Sequence, residues 1–334
     1  MKKTILWILK ASMAGLVSFA VISGICFFYY NLPVHYTNTT GATDYFWDKE
    51  TVSMRGTEGF AYTKTDENGF VNTFPEKKDE INVLVMGSSH AEGFNVDSDE
   101  NFTYVLNKKF KDNGQDKYVY NIGTSSHNFV RCLKNLEDAI ETYKPTEYVV
   151  IETSAIDFDV ESLEQLNSGI YETLESRNTG LIYQLQKLDF VRLVYAQISN
   201  FTKKDSAATD EQKTETETDL TQYKQLVEEA VQNASKIAEE NNCKIVILYC
   251  PKVEVDYYGK IVEKDITPEQ DIFKSACEKY AVECIDMFSS YEAMYKETNN
   301  LPQGFSNTAV GAGHTNKYGH NCIAEELYKF IVEE

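Results

Sequence analysis

The sequence predicts an α/β protein with three layers, α/β/α, around a central parallel sheet of about five strands, preceded by one transmembrane helix. Short apolar runs alternate with stretches in which apolar residues recur at helical spacing. Such alternation is typical of a parallel sheet that is covered by helices on both faces. A separate uncharged run lies near the amino terminus, ahead of this pattern.

The first element is the uncharged run of residues 11–30. About twenty helical residues span a hydrocarbon core of about 30 Å. Three lysines precede the run, whereas the first basic residue after it is Lys49, so the amino terminus is expected in the cytoplasm. We therefore predict a cytoplasmic stub and single-pass anchor in residues 1–30, with the rest of the chain extracellular. A cleaved signal peptide is the alternative, although no A-x-A-like site follows the run.

Residues 31–79 follow as an irregular extracellular lead-in segment, rich in Thr, Asp, Gly and aromatic side chains. The aromatic residues between positions 43 and 62 are expected to pack this segment onto the domain. A platform for sugar rings is the alternative interpretation.

Five short apolar runs in residues 80–334 predict the strands. Each is four to six residues long, and Gly87 and Gly123 end the first two. The predicted strands are 81–86, 118–122, 148–152, 244–249 and 282–285.

Helices are predicted between these strands from the spacing of apolar residues. Val130, Leu133, Leu136 and Ile140 share one helical face, for example, and Pro145 stops that helix. The predicted helices are 99–112, 127–143, 160–201 with breaks near Gly169 and Gly180, 220–237, 268–281 and 317–333. The polar, apolar-poor stretch 202–219 is predicted to be a solvated insertion within this single domain.

The chain is strongly acidic, with 32 basic and 52 acidic residues and a formal net charge of −20. A field of that sign repels phosphate backbones, so no nucleic-acid partner is expected. Tight docking on anionic lipid headgroups is disfavoured for the same reason, and the membrane is expected as a partner only through the anchor.

No two of the seven cysteines form a C-x-x-C pair, so the sequence excludes a zinc ribbon and a thioredoxin-like redox motif. Cys243 and Cys250 bracket one strand and are too far apart to pair with each other. Reduced, buried thiols are expected, and a disulfide or two among the others remains open.

The residues directly after the strands are the candidates for chemistry, because open parallel sheets bind ligands beyond the carboxyl ends of their strands. Segments 87–93 and 121–128 follow the first two strands, and Ser154 and Asp157 follow the third. Segment 311–320 lies beyond the fifth strand, and four of the five histidines fall in these loops.

Segment 87–93 (GSSHAEG) resembles the first motif block of the SGNH (GDSL-like) hydrolase superfamily, with Ser88 where that family has Asp. His314 matches the histidine of the family's Asp-x-x-His block, but Gly311 occupies the Asp position. The resemblance implies a flavodoxin-like fold with Ser89 as the nucleophile and His314 as its base. It implies no cofactor.

The two middle blocks are altered as well. The resemblance implies an oxyanion hole built from Ser89, Ser126 and Asn128, with Ser126 in the place of a glycine. A backbone N–H still serves there. In the third block Ile156 occupies a position whose side chain normally donates a hydrogen bond. The whole resemblance covers roughly residues 81–334.

The missing acid matters most. In the serine-protease template, loss of the acid's role lowers the rate by about 10⁴. A Ser89–His314 dyad would therefore be slow unless a main-chain carbonyl near Gly311, or an acid from elsewhere, holds the imidazole. His90, His127 and His320 are expected to pack or bond locally.

The sequence thus predicts an extracellular serine esterase or O-acyltransferase that acts on acyl esters, acetyl above all, of cell-wall or surface glycans. The alternative is a non-catalytic surface protein that binds glycan or assists a membrane acyltransferase, which the altered positions 88, 156 and 311 favour. A metal-dependent hydrolase is a weaker third possibility, since no metal-ligand spacing such as H-E-x-x-H occurs. No metal site is therefore predicted, and neither a G-x-G-x-x-G loop nor a P-loop is present.

Overall fold

The computed structural model describes residues 2–31, 35–36, 46–125, 127–153, 160–168, 220–264 and 266–333, with five further single positions between 185 and 194. The predicted insertion 202–219 and most of the predicted helix 160–201 lie outside the described residues. Ser126 and residues 154–157 lie outside them too.

In chain order, the helices are α1 (Lys2–Tyr29), α2 (Ser89–Glu92), α3 (Phe102–Asp112), α4 (Phe129–Lys134), α5 (Leu136–Tyr143), α6 (Val160–Ser168), α7 (Leu220–Glu240), α8 (Pro268–Lys279), α9 (Phe288–Thr298) and α10 (Lys317–Glu333). The strands are β1 (Tyr30–Asn31), β2 (His35–Tyr36), β3 (Phe46–Trp47), β4 (Val52–Arg55), β5 (Ala61–Lys64), β6 (Val83–Met86), β7 (Val119–Asn121), β8 (Tyr148–Thr153), β9 (Lys244–Tyr249), β10 (Val253–Val255), β11 (Ile261–Glu263) and β12 (Glu283–Asp286).

The central sheet contains five parallel strands in the order β12-β9-β8-β6-β7. All four residues of β6 are buried, because this strand has a neighbour on each side and helices over both faces. The chain leaves β6 to form β7 on one side and then returns to form β8 on the other. The strand order therefore reverses at β6, which is where an open α/β sheet opens a crevice for ligands.

Two apolar layers enclose the sheet and confirm the predicted three-layer α/β/α architecture. One layer packs α4 to α8 against one face through side chains such as Leu136, Tyr223 and Phe273. The other packs α3, α9 and α10 against the opposite face through Phe102, Tyr291 and Leu327.

The structure differs from the predicted elements in three places. The predicted helix 127–143 is two helices, α4 and α5, which meet at the buried Asn135. The hairpin of β10 and β11 and the helix α9 were not predicted. The prediction that residues 31–79 are irregular is wrong for 52–64, where β4 and β5 pair antiparallel. Strands of four residues are too short to stand out in the sequence, even though the residues of β5 alternate between buried and exposed.

The helix α1 contains a stretch, Lys3–Phe28, of 26 residues with a mean hydropathy of 2.0. It is long and apolar enough to cross a membrane, although a signal sequence has the same features. Its last turn continues directly into β1, which pairs antiparallel with β4. All seven cysteines are free thiols.

Candidate active site

Ser89 lies at the point where the strand order reverses. It is the first residue of α2, directly beyond the end of β6, and Ser88 caps this four-residue helix by accepting the His90 N–H at 3.2 Å. Gly87 precedes them with a φ of 158°, and a Cβ there would lie 2.7 Å from Glu152 Oε2. Glycine is required at this turn because any side chain would collide with the carboxyl group of Glu152, a residue of β8.

Ser89, His314 and Glu58 form a continuous hydrogen-bonded chain. Ser89 Oγ lies 2.9 Å from His314 Nε2. The other ring nitrogen, Nδ1, lies 2.7 Å from Glu58 Oε2, and the His314 backbone N–H donates to Glu58 Oε1 at 2.8 Å. The side chains of His314 and Glu58 are 24% and 18% exposed, and Ser89 is partly exposed, so solvent reaches the group.

The carboxylate of Glu58 determines the tautomer of the imidazole. Burial alone would raise the pKa of Glu58, but the side-chain and backbone hydrogen bonds from His314, together with the electrostatic influence of His314 and Arg55, lower it to about 2. An ionised carboxylate only accepts hydrogen bonds, so Nδ1 of His314 carries the proton. Nε2 is then the acceptor for the Ser89 hydroxyl, which is the arrangement that a general base needs.

The turn between β4 and β5 presents Glu58, and the distant Asn307 holds that turn. Asn307 accepts the Gly59 N–H at 2.9 Å and donates to the carbonyl groups of Gly56 and Gly59 at 3.0 and 2.8 Å. Gly313 has a φ of 98°, and a Cβ there would lie 2.3 Å from Glu58 Oε1. The carboxylate therefore approaches His314 only because no side chain precedes the histidine.

A second buried carboxyl, Glu92, connects α2 with the loop after β7. It accepts hydrogen bonds from the Ser125 backbone N–H at 3.1 Å, from the Ser125 hydroxyl and from the Trp47 indole. Burial raises its pKa, whereas these hydrogen bonds act in the opposite direction. Glu92 thus ties both the lead-in segment and Ser125, after β7, to α2, the helix of Ser89.

A third carboxyl, Glu152, lies beneath Ser88 at the end of β8. Its Oε2 accepts both the backbone N–H and the hydroxyl of Ser88 at 3.0 Å. Its Oε1 is buried with no hydrogen-bond partner among the described residues, and burial raises the pKa of this side chain. The serine at position 88 is therefore part of the support of α2 rather than of the reacting groups.

The remaining histidines near the site pack locally. The His90 ring lies 5.3 Å from the His314 ring, and its Nδ1 accepts the Thr315 N–H at 3.2 Å. Burial and the proximity of His314 lower the pKa of His90 to about 4, so it is neutral at pH 7. His320 stacks on Phe102 at 5.8 Å, and burial lowers its pKa to about 3. His127 is buried.

The structure brings together two of the four predicted site residues, Ser89 and His314, across 225 positions of sequence. Ser126 lies outside the described residues. Asn128 caps α4 by accepting the Arg131 N–H at 3.0 Å, and its predicted contribution to an oxyanion hole stays a prediction. Among the described residues, no group of three His, Cys, Asp or Glu side chains is arranged to hold a metal ion.

Sequence reasoning did not identify Glu58, although it left open an acid from elsewhere. This residue lies 256 positions before His314 and is one of 52 acidic residues. The only signal is a Gly-Thr-Glu-Gly turn at 56–59, and that turn gives no indication of which loop it faces.

Comparisons with solved structures give low-identity matches over most of the chain. They include the psychrotrophic esterase EstA from Pseudoalteromonas sp., at 13% identity and a TM-score of 0.40, covering 75% of this chain and 97% of that chain. The acetyl xylan esterase AlAXEase matches at 12% identity with a TM-score of 0.44, and the match covers 75% of this chain and 100% of that chain. A lipase/acylhydrolase from Enterococcus faecalis matches at 13% identity with a TM-score of 0.42, and the match covers 75% of this chain and 95% of that chain. No family model and no curated protein sequence matches the chain.

Proposed function

We propose that this protein is a membrane-anchored serine ester hydrolase whose reacting groups are Ser89, His314 and Glu58. The observation that carries the proposal is the hydrogen-bonded chain through His314, with 2.9 Å to the serine hydroxyl and 2.7 Å to the carboxylate. The non-catalytic alternative was favoured by the altered positions 88, 156 and 311, and the last of these removes the family's acid. Glu58 occupies the position that such an acid needs, which favours an enzyme.

The reaction proceeds through an acyl-enzyme. Ser89 Oγ attacks the ester carbonyl carbon while its proton passes to His314 Nε2, and the carbonyl oxygen becomes an oxyanion. The ester C–O bond then breaks, and His314 returns that proton to the departing alkoxide oxygen. Water repeats the sequence on the acyl-serine, releasing the carboxylic acid and restoring the hydroxyl. Glu58 stays ionised throughout and stabilises the imidazolium.

Backbone N–H groups are the proposed donors to the oxyanion. The Ser89 N–H makes no hydrogen bond to another described residue, so it is available at the foot of the nucleophile. The Ser126 N–H is the proposed second donor, on the resemblance of segment 121–126 to the family's second motif block. The adjacent Ser125 bonds to Glu92 of α2. Removal of one such donor costs about 10²–10³ in rate.

The proposed substrates are acyl esters of cell-wall or surface glycans, with acetyl as the acyl group. This rests on the predicted topology, in which α1 anchors the chain and the domain lies outside the cytoplasm. The strongly negative charge of the chain disfavours polyanionic substrates. A sugar hydroxyl in place of water would make the same acyl-enzyme an O-acyltransferase, and a membrane acyltransferase is a possible partner in that case.

The test is covalent labelling of the serine. The wild-type chain is expected to react with a fluorophosphonate probe at Ser89 and to hydrolyse 4-nitrophenyl acetate. Ser89→Ala should lose both activities while it keeps the wild-type circular dichroism spectrum. Ser289→Ala, at an exposed serine of α9, is the matched control and should keep both. Labelling that maps to another serine, or full hydrolysis by Ser89→Ala, would rule out this mechanism.

A further inference from the structure

A cavity of about 560 Å³ lies beside the segments that carry Glu58 and His314. Phe60 follows Glu58 by two positions, and Asn316 follows His314 by two, and both residues line the cavity. None of the three triad side chains does. Two residues of extended chain span about 7 Å, so a molecule in this cavity would lie close to the triad without occupying it. Its volume is in the usual range for a small-ligand site.

One polar group in the cavity wall has an unused hydrogen-bonding capacity. Asn95 is 2% exposed, and its side-chain N–H₂ donates to the Glu58 carbonyl oxygen at 3.3 Å, which fixes the orientation of the amide. Its Oδ1 is buried and has no donor among the described residues. A buried acceptor without a donor is unfavourable, so a ligand hydroxyl or N–H that reaches Asn95 Oδ1 would stabilise this wall.

Aromatic rings form much of the rest of the wall. Phe60 and Tyr318 are 73% and 40% exposed at the cavity, and Tyr295 and Phe305 also line it. Exposed rings of this size offer flat apolar faces that a ligand with its own apolar face would cover. Among the described residues of the wall, the one carboxylate, Glu100, lies 3.6 Å from the one cation, Lys317, so an anionic ligand finds no unpaired cation among them.

We propose that this cavity is a subsite for a neutral sugar ring of the glycan substrate. This inference rests on the proposed function and deepens it. A pyranose ring has C–H faces that stack on aromatic rings and equatorial hydroxyls that donate to groups such as Asn95 Oδ1. A sugar held here would present an ester on a neighbouring ring to Ser89. An acyl chain would leave the acceptor unsatisfied, and a nucleotide would bring charge to an acidic surface.

The test compares a small ester with a sugar ester in variants of exposed wall residues. Tyr318→Ala and Phe60→Ala are expected to raise KM for acetylated xylotetraose or acetylated chitotetraose about fivefold to tenfold, the size of a lost aromatic contact. Both variants should hydrolyse 4-nitrophenyl acetate within about twofold of wild type, because neither side chain touches the triad. Tyr257→Ala, at a 96% exposed tyrosine outside the cavity, is the matched control and should leave both reactions unchanged.

Binding without turnover separates this inference from the proposed function. In Ser89→Ala, titration with xylotetraose and chitotetraose should show saturable binding of at least one sugar, and adding Tyr318→Ala should weaken it about fivefold to tenfold. Absence of binding to both sugars, or binding that ignores Tyr318, would overturn the subsite even if wild type is an active esterase. Conversely, an inactive wild type that still binds a sugar through Tyr318 would overturn the esterase and keep the subsite.

Discussion

Replacement of Glu58 by glutamine is the most direct test of the triad, because it removes one charge and almost no volume. The wild-type carboxylate accepts from both donors of His314, the backbone N–H and Nδ1–H. A glutamine amide supplies one acceptor and one donor. If its oxygen faces Nδ1, its N–H₂ group meets the backbone N–H. If its N–H₂ faces Nδ1, the histidine must place its proton on Nε2, where it no longer accepts from Ser89.

Both outcomes weaken the base, and the magnitude follows from known templates. A wrong tautomer in the serine-protease triad lowers the rate by about 10⁴. We expect Glu58→Gln to lower kcat on 4-nitrophenyl acetate by about 10³–10⁴, which corresponds to about 4–5.5 kcal/mol of transition-state stabilisation. KM should change little, because Glu58 contacts the histidine and not the substrate.

The assay is steady-state hydrolysis at pH 7 by the full chain in detergent, with folding checked by circular dichroism. Glu67→Gln is the matched control, because Glu67 lies in the same lead-in segment and forms a surface ion pair with the exposed Lys77. That variant should keep wild-type activity. A Glu58→Gln protein that is folded and within tenfold of wild type would refute the assignment of Glu58 as the partner of His314.

Three further outcomes are expected. Gly313→Ala should lower kcat at least about 10²-fold, because a Cβ 2.3 Å from Glu58 Oε1 displaces the carboxylate, and a wild-type rate would contradict the packing that we describe. Glu92→Ala should lower the melting temperature by several degrees, because it loses the hydrogen bonds to Trp47 and Ser125. Glu92→Gln should keep most of the wild-type melting temperature. Equal melting temperatures of the two variants would show that these hydrogen bonds are unimportant. The pKa of Glu58 is about 2 in the fold against an ordinary 4.5, so its stabilising contribution is present above pH 4.5 and is lost as the pH falls towards 2. Urea unfolding should accordingly show wild type more stable than Glu58→Gln at pH 7, with the difference shrinking below pH 4.5, and a constant difference would contradict the low pKa.

The sheet was predictable because four of its five strands are buried on both faces. The apolar run that became β9 was predicted with the bounds that the structure has, and β8 extends one residue past its prediction. Buried strands leave a continuous apolar signal, whereas the exposed hairpin of β10 and β11 leaves almost none. The predicted helix 127–143 is divided at Asn135. The apolar spacing continues across this residue, so the sequence gives no sign of the break.

The sequence predicted the candidate site residues that lie in loops beyond the strands of the sheet. It did not predict those that come from other parts of the chain. Ser89 and His314 lie in loops that the parallel-sheet rule indicates, and they are 2.9 Å apart. Glu58 and Asn307 belong to segments joined only by tertiary contacts, and no local pattern connects them. The choice of one acid among 52 needs the fold itself.

The position of the acid changes what the lead-in segment is for. In the motif that this chain resembles, the acid lies three residues before the histidine, in the same loop, and needs no other segment. Here Gly311 occupies that position, and the carboxylate beside His314 belongs to Glu58, in the turn after β4. The same strand pairs with β1, the first two residues after the apolar helix. The proposed triad is therefore complete only when the lead-in segment is folded against the domain. The hydrogen bonds of Trp47 to Glu92 and of Gly59 to Asn307 hold the segment there. A chain that kept Ser89 and His314 but lost this packing would retain a nucleophile and a base, and would lack the carboxylate that orients the base.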